Sequence, residues 1–226
     1  MSTAPAVDSD KPSGPRSRKG ALTRARLLDA AKQIFEENGF LEARISDIAE
    51  RAGLSHGSFY HYFDSKEQIF REVTEAVQEQ ISAPLTDVVL VPGSKATPAE
   101  RLTEAIHSHL VAYRDNARIM GVIEQVSRYD EYVHDLLAAR HAKYNGLISE
   151  SIRQMQLRGM ADPALDPAIA AAALGSMTDR FAEMWLAQGW VDCDLDKGAE
   201  QVTRLFINAL GLERTADAPR RQLKAK

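Results

Sequence analysis

Two pairs of side chains in this sequence have a spacing suited to metal chemistry. Glu104 with His107, and Glu131 with His134, each fit Glu-x-x-His, in which a carboxylate and an imidazole share one helical face. A di-metal carboxylate enzyme also needs glutamates from other helices, and Glu124 with Glu150 or Glu183 could supply them. Other catalytic spacings are missing: there is no G-x-x-x-x-G-K-[ST], no G-x-S-x-G and no H-E-x-x-H. No cofactor is expected. The second chemistry is polyanion binding. Arg51 to Phe63 contains Arg51, His56 and His61 and no acid, and Lys11 to Arg26 carries Lys11, Arg16, Arg18, Lys19, Arg24 and Arg26 and no acid. The net charge of −4 does not oppose this reading, because the distribution of charge matters more than its sum. The stretch Lys11–Arg26 is either a solvated arm or a strap along a nucleic acid.

These groups sit on helices. Periodicity starts near Thr23, with Leu27, Ala31, Ile34 and Phe35 on one face, and Asn38-Gly39 closes that helix. A short helix near Ser46–Ala52 breaks at Gly53-Leu54-Ser55, and Ser55 can N-cap a second one, His56–Phe63. After Asp64-Ser65 a longer helix opens at Lys66, lined by Ile69, Val73, Val77 and Ile81, and ends near Pro84. Val91–Lys95 reads as a loop. Thr97-Pro98-Ala99-Glu100 is a capping box with proline in the first turn. Helices are expected near 98–114, 117–128, 131–158, 167–188 and 195–212. No segment alternates with period two, so the fold class is all-α. Residues 1–20 and the tail 215–226 are polar and expected to be disordered. No apolar run approaches the roughly 18 residues of a membrane span, and no signal-type segment is visible. Cys193 is the only cysteine, so no internal disulfide can form. A soluble, cytoplasmic protein is expected, with no membrane partner.

The two short helices meet strict demands. A small residue is needed where they cross, and Ala49 supplies it. Four residues later the turn needs positive φ, hence Gly53. Positions facing the shared core must be apolar, and Ile45, Ile48, Ala52, Leu54, Phe59 and Tyr62 are. Alanine, glycine four on and an apolar residue six further is the helix-turn-helix pattern.

Residues 22–70 contain AAKQIFEENGF, then SDIAERAGLS, then GSFYHYFDSKEQIF. This stretch resembles the N-terminal domain of tetracycline-repressor (TetR) family transcriptional regulators. The resemblance implies an all-helical homodimer with an N-terminal helix-turn-helix domain and a C-terminal helical bundle for effector binding and dimerisation. The expected division is an arm at 1–20, a DNA-binding domain at 21–66, an effector and dimer domain at 67–214, and a tail at 215–226. It also implies that His56, Gly57 and Ser58 open the recognition helix behind the cap Ser55, with base edges in reach. Tyr60 and His61 resemble the family's phosphate-contacting pair, and Lys66 begins a helix whose amides and ammonium favour a phosphate. Arg44 and Ser46 are expected near the DNA backbone. Family members usually carry Thr-Thr where this chain has Ala43-Arg44. That departure puts the usual hydroxyl cap in doubt and offers Arg44 as a contact instead. Phe59, Tyr62 and Phe63 are expected in the core.

The C-terminal part has two further signals. The small residues of Pro167–Gly175, and Leu195, Ala199, Val202, Phe206 and Ala209 at alternating steps of four and three, suit a four-helix interface across a twofold axis. Such symmetry implies a palindromic double-stranded DNA operator. Larger groups with polar handles, among them His107, Met120, Glu124, Tyr144, Met177, Phe181, Met184 and Trp185, are candidates for an apolar effector pocket. The expected function is a repressor released by a small, largely apolar effector. A constitutive DNA-binding regulator and the di-metal enzyme are the alternatives.

Overall fold

The computed structural model describes residues 18–88 and 96–212. Among them every regular element is helical: α1 Arg18–Glu42, α2 Ile45–Arg51, α3 His56–Phe59, α4 Lys66–Ser82, a tight turn at Ala83–Val88, α5 Pro98–Asp115, α6 Ala117–Ser127, α7 Glu131–Leu157, α8 Pro167–Ala182 with a wide turn at Glu183–Ala187, and α9 Leu195–Leu210. None of these helices is long and apolar enough to cross a membrane. The chain divides into two compact units, one through Glu72 and the other from Val73, so the division falls inside α4 rather than at its start. The loop 91–95, most of the expected N-terminal arm and the tail after 212 lie outside the described residues.

In the first unit, α1 begins at Arg18, earlier than the expected start near Thr23. Arg18, Lys19 and Gly20 are therefore helical rather than part of a disordered arm. The Thr23 hydroxyl donates to the Lys19 carbonyl at 3.0 Å, and no proline follows Pro15 to stop the helix. Leu27, Ala30, Ala31, Ile34 and Phe35 are buried along one stripe. Gly39 (φ 72°) kinks the chain. Beyond it Phe40 packs on Phe35 and Phe70, and Phe35 and Phe70 meet edge to face at 5.0 Å. The recognition helix is shorter than the expected His56–Phe63. After Phe59 the bonds shorten in span, with Tyr62 N–H donating to the Phe59 carbonyl at 2.9 Å and His61 N–H to Ser58 at 3.3 Å. Such i→i−3 bonding tightens a helix end and stops its propagation.

In the second unit, α7 packs on α8 and α5 packs on α9. Ile152, Met155, Ala161, Ala171 and Leu210 form one buried cluster. The capping box opens α5 as its sequence requires: Glu100 N–H donates to Thr97 Oγ1 at 3.2 Å, and Thr97 N–H to Glu100 Oε2 at 2.7 Å. These bonds hold the Glu100 carboxyl below its ordinary range. The expected single helix 167–188 instead leaves α-geometry at Glu183. The Trp185 indole donates to the Cys193 carbonyl at 3.2 Å and lies against Gly198, where a Cβ would sit 2.2 Å from the ring.

Candidate nucleic-acid interface and ligand cavity

The helix-turn-helix is built from burial on one side and exposure on the other. Ile48, Ala49, Phe59 and Phe63 are almost fully buried, so both short helices have a fixed inner face. Between them Gly53 has φ 67°, a left-handed conformation that costs a residue with a Cβ about 1–2 kcal/mol. A Cβ there would also meet the Arg26 guanidinium at 3.0 Å. Ser55 caps α3, its hydroxyl accepting from Ser58 N–H at 3.3 Å and pairing with Ser58 Oγ at 2.7 Å.

The outer face gathers most of the expected DNA contacts. Arg44, Ser46, Ser55, His56, Gly57, Tyr60 and His61 are exposed, and Ser58 is half-buried. Tyr60 is 48% exposed and held edge-on by the His56 ring at 5.3 Å. A Cβ built on Gly57 meets no protein atom within 4 Å, so nothing inside the chain requires glycine there. Arg44 stands at the N-cap of α2 with no side-chain cap bond, so the hydroxyl cap is indeed missing. The nearby Ser46 hydroxyl donates to Asp47 at 2.9 Å.

Several cations differ from the expectation of free phosphate partners. The Lys66 ammonium donates to the carbonyls of Phe40 (2.8 Å), Ala43 (3.0 Å) and Leu41 (3.1 Å). An ammonium has three donors, so Lys66 ties the end of α1 to α4 and keeps none for DNA. Within Lys11–Arg26, Arg24 pairs with Glu72, and Arg26 donates to the Ala52 carbonyl at the end of α2. Arg51 grips Glu37 through two bonds of 2.7 and 2.9 Å. That pair holds the Glu37 carboxyl low and the Arg51 guanidinium high. Arg18 and Lys19 are exposed.

The second unit contains a narrow cavity walled by α5, α7, α8 and α9. Its enclosed free volume is small, about 60 Å³. Ile106, Ile148, Ile152, Met155 and Phe206 supply apolar wall. At one end stand His109, Arg140, His141 and Asp179. The Asp179 carboxylate lies 3.6 Å from His109, 3.5 Å from His141 and 3.9 Å from Arg140. Burial alone would raise its pKa, but the His109 ring and the charges of Arg140 and His141 hold it low. Burial and Arg140 push the His141 ring down. A neighbouring cavity shares Arg140, His141 and Asp179 as wall and adds Tyr113, Met120 and Glu124. There burial, then Glu183 and Asp179, raise Glu124; burial, then Glu183 and Glu124, raise Tyr113.

The expected effector residues scatter among these features. Tyr144 lines the main cavity, and Met120 and Glu124 line its neighbour. His107 lies in a shallow outer groove with its Nε2 3.0 Å from Asp196. Phe181 and Trp185 stack on each other at 5.3 Å, and neither they nor Met177 and Met184 line either cavity. The charged or titratable residues of the main cavity outside the expected set are His109, Arg140, His141 and Asp179. Only His109 carried a signal, since a histidine on the apolar stripe of α5 (Leu102, Ile106, Leu110) is out of place. The glutamates and histidines proposed for a di-metal centre do not converge: among the described residues no cluster of three or more His, Cys, Asp or Glu could hold a metal.

Known proteins share both units. Residues 27–73 match the model of the bacterial regulatory proteins of the tetR family, and residues 95–210 match a tetracyclin repressor-like C-terminal domain. The HTH-type transcriptional repressor KstR2 of Mycolicibacterium smegmatis is 26% identical over 208 residues, spanning 88% of this chain and 91% of KstR2. The HTH-type transcriptional regulator UidR of Escherichia coli is 26% identical over 156 residues, or 69% of this chain and 78% of UidR. The structure of FadR from Bacillus subtilis in complex with stearoyl-CoA superposes with a TM-score of 0.66 at 22% identity, covering 82% of this chain and 98% of FadR. Helix-turn-helix geometry in the first unit, a helical bundle in the second and matches to both halves lead to one assignment: the chain belongs to the tetR family of DNA-binding transcriptional regulators, a non-enzymatic family.

Proposed function

We propose that this chain is a homodimeric, ligand-responsive repressor that binds a palindromic operator through its first unit and releases it when an effector enters its second. The observation that carries the DNA part is the outer face of α3. His56 and Gly57 on α3, and Tyr60 and His61 just after it, are exposed while Phe59 and Phe63 are buried on the other side. Gly57 has open space where a side chain would go, which suits close approach of a duplex. Tyr60 and His61 act on phosphates, and His56 and Ser58 face base edges. Arg44 and Ser46 flank the backbone, and Lys66 acts by holding the scaffold.

Dimerisation is supported by α8 and α9. Their small residues leave Ile169 71% and Leu205 53% exposed, apolar groups that a partner copy would cover. The cavity in the second unit supports an effector with a large apolar part, as does FadR, whose structure holds stearoyl-CoA. The effector shifts the dimer between a DNA-competent and an incompetent state by binding one of them better.

Selection of binding sites from random duplexes tests this reading. It should return a palindrome, with half-site centres about one helical turn or a multiple apart. On that site, Tyr60→Phe and His61→Ala should weaken binding by similar factors for every sequence. Ser58→Ala should instead relax base preference. Affinity that is blind to sequence, from a chain that sediments as a monomer, refutes the proposal.

A further inference from the structure

The main cavity carries its charged side chains at one end only. Along α7 its wall runs from Arg140 through Tyr144 and Ile148 to Met155, about 20 Å of helix. The Met155 end is apolar apart from Ser151. Near the other end, two polar side-chain atoms are buried and have no hydrogen-bond partner, Arg140 Nε and Tyr144 Oη, while His109 Nε2 faces Asp179 at 3.6 Å. Tyr144 is 5% and His109 1% exposed. The His109 ring is oriented by its Nδ1, 2.8 Å from the Ile81 carbonyl; a carbonyl only accepts, so Nδ1 carries the proton. Arg140 is held by Ser82 Oγ at 2.8 Å. Buried polar groups are seldom left without partners unless something else completes them.

We infer that the effector is an elongated apolar molecule bearing an uncharged carbonyl at one end, and that this oxygen accepts hydrogen bonds from Tyr144 Oη and Arg140 Nε. Arg140 Nε is a donor only and the phenol can donate, so their partner is an acceptor. The head is uncharged because Asp179 already offsets Arg140 on this wall. A carboxylate beside Arg140 would also stand beside the Asp179 carboxylate, and that repulsion adds to the cost of its desolvation. The small free space restricts the body to a slender chain, or to one that widens the cavity as it enters. A ketone and an ester present the same acceptor oxygen. The inference rests on the second unit being an effector domain.

The test is titration of the full-length protein with methyl octyl ketone, methyl decanoate and decanoate, followed by calorimetry. The ketone or the ester should bind more tightly than decanoate, and whichever of the two binds better identifies the head. Tyr144→Phe should weaken that probe about tenfold, the effect of one lost hydrogen bond in a buried site. The same variant should melt no lower than the parent, because it deletes a hydroxyl that has no partner; a purely structural tyrosine would not behave so. Tighter binding of decanoate, no binding by any probe, or unchanged affinity in Tyr144→Phe overturns the inference. Binding that obeys these rules yet leaves operator affinity unchanged at saturation would remove the ligand switch and keep the anchor.

Discussion

The two units use their polar side chains in opposite ways. In the first, cations that look available in the sequence are committed to the fold: Lys66 to three carbonyls, Arg26 to the end of α2, Arg24 and Arg51 to carboxylates. The groups that remain outward lie over a buried inner face of Ile48, Ala49, Phe59 and Phe63. In the second, polar atoms of Arg140 and Tyr144 are buried beside a cavity without partners. A site read by a large, highly charged partner can be finished in advance and displayed. A site for a small, largely apolar molecule must stay incomplete until that molecule arrives, because an unfilled hydrogen bond inside is what distinguishes one ligand from another.

Substitutions can break this contrast. The largest effect is expected from Lys66→Met, which leaves three carbonyls without their donor and should lower unfolding free energy by about 2 kcal/mol in a denaturant titration. A change near zero would mean that the ammonium is not holding α1 to α4. Gly53→Ala should cost about 1–2 kcal/mol by the same measurement, from the positive φ, and should weaken operator binding further by moving α3. The smallest effect is a pH dependence in the second unit. Burial and Arg140 lower the His141 pKa from 6.5, so its contribution is complete above that value and is lost as pH falls through the lowered one. Because His141 is 47% exposed, the part removed by His141→Gln between about pH 7 and pH 5 should be no more than about 0.5 kcal/mol in melting experiments. A larger loss, or one on the alkaline side, would show that the polar end of the cavity is more tightly coupled than its geometry implies.

Local rules made much of this protein legible in its sequence. Ala49, Gly53 and Phe59 announce the helix-turn-helix, Thr97-Pro98-Ala99-Glu100 announces α5, and Asp166-Pro167 announces α8, because caps, turns and apolar stripes act over a few neighbouring residues. The exposed set from His56 to His61 follows from the same periodicity, since fixing Phe59 and Phe63 inside leaves the other face outside. Distant partners decided the rest. Nothing near Lys66 in the chain foretells three carbonyls at 40, 41 and 43, and nothing near Asp179 foretells His109, Arg140 and His141. Phe181 and Trp185 stack on each other and line neither cavity, which their sequence positions do not foretell. Whether an apolar or polar side chain meets a neighbour or an empty space depends on how whole helices cross, and that geometry exists only once the chain has folded.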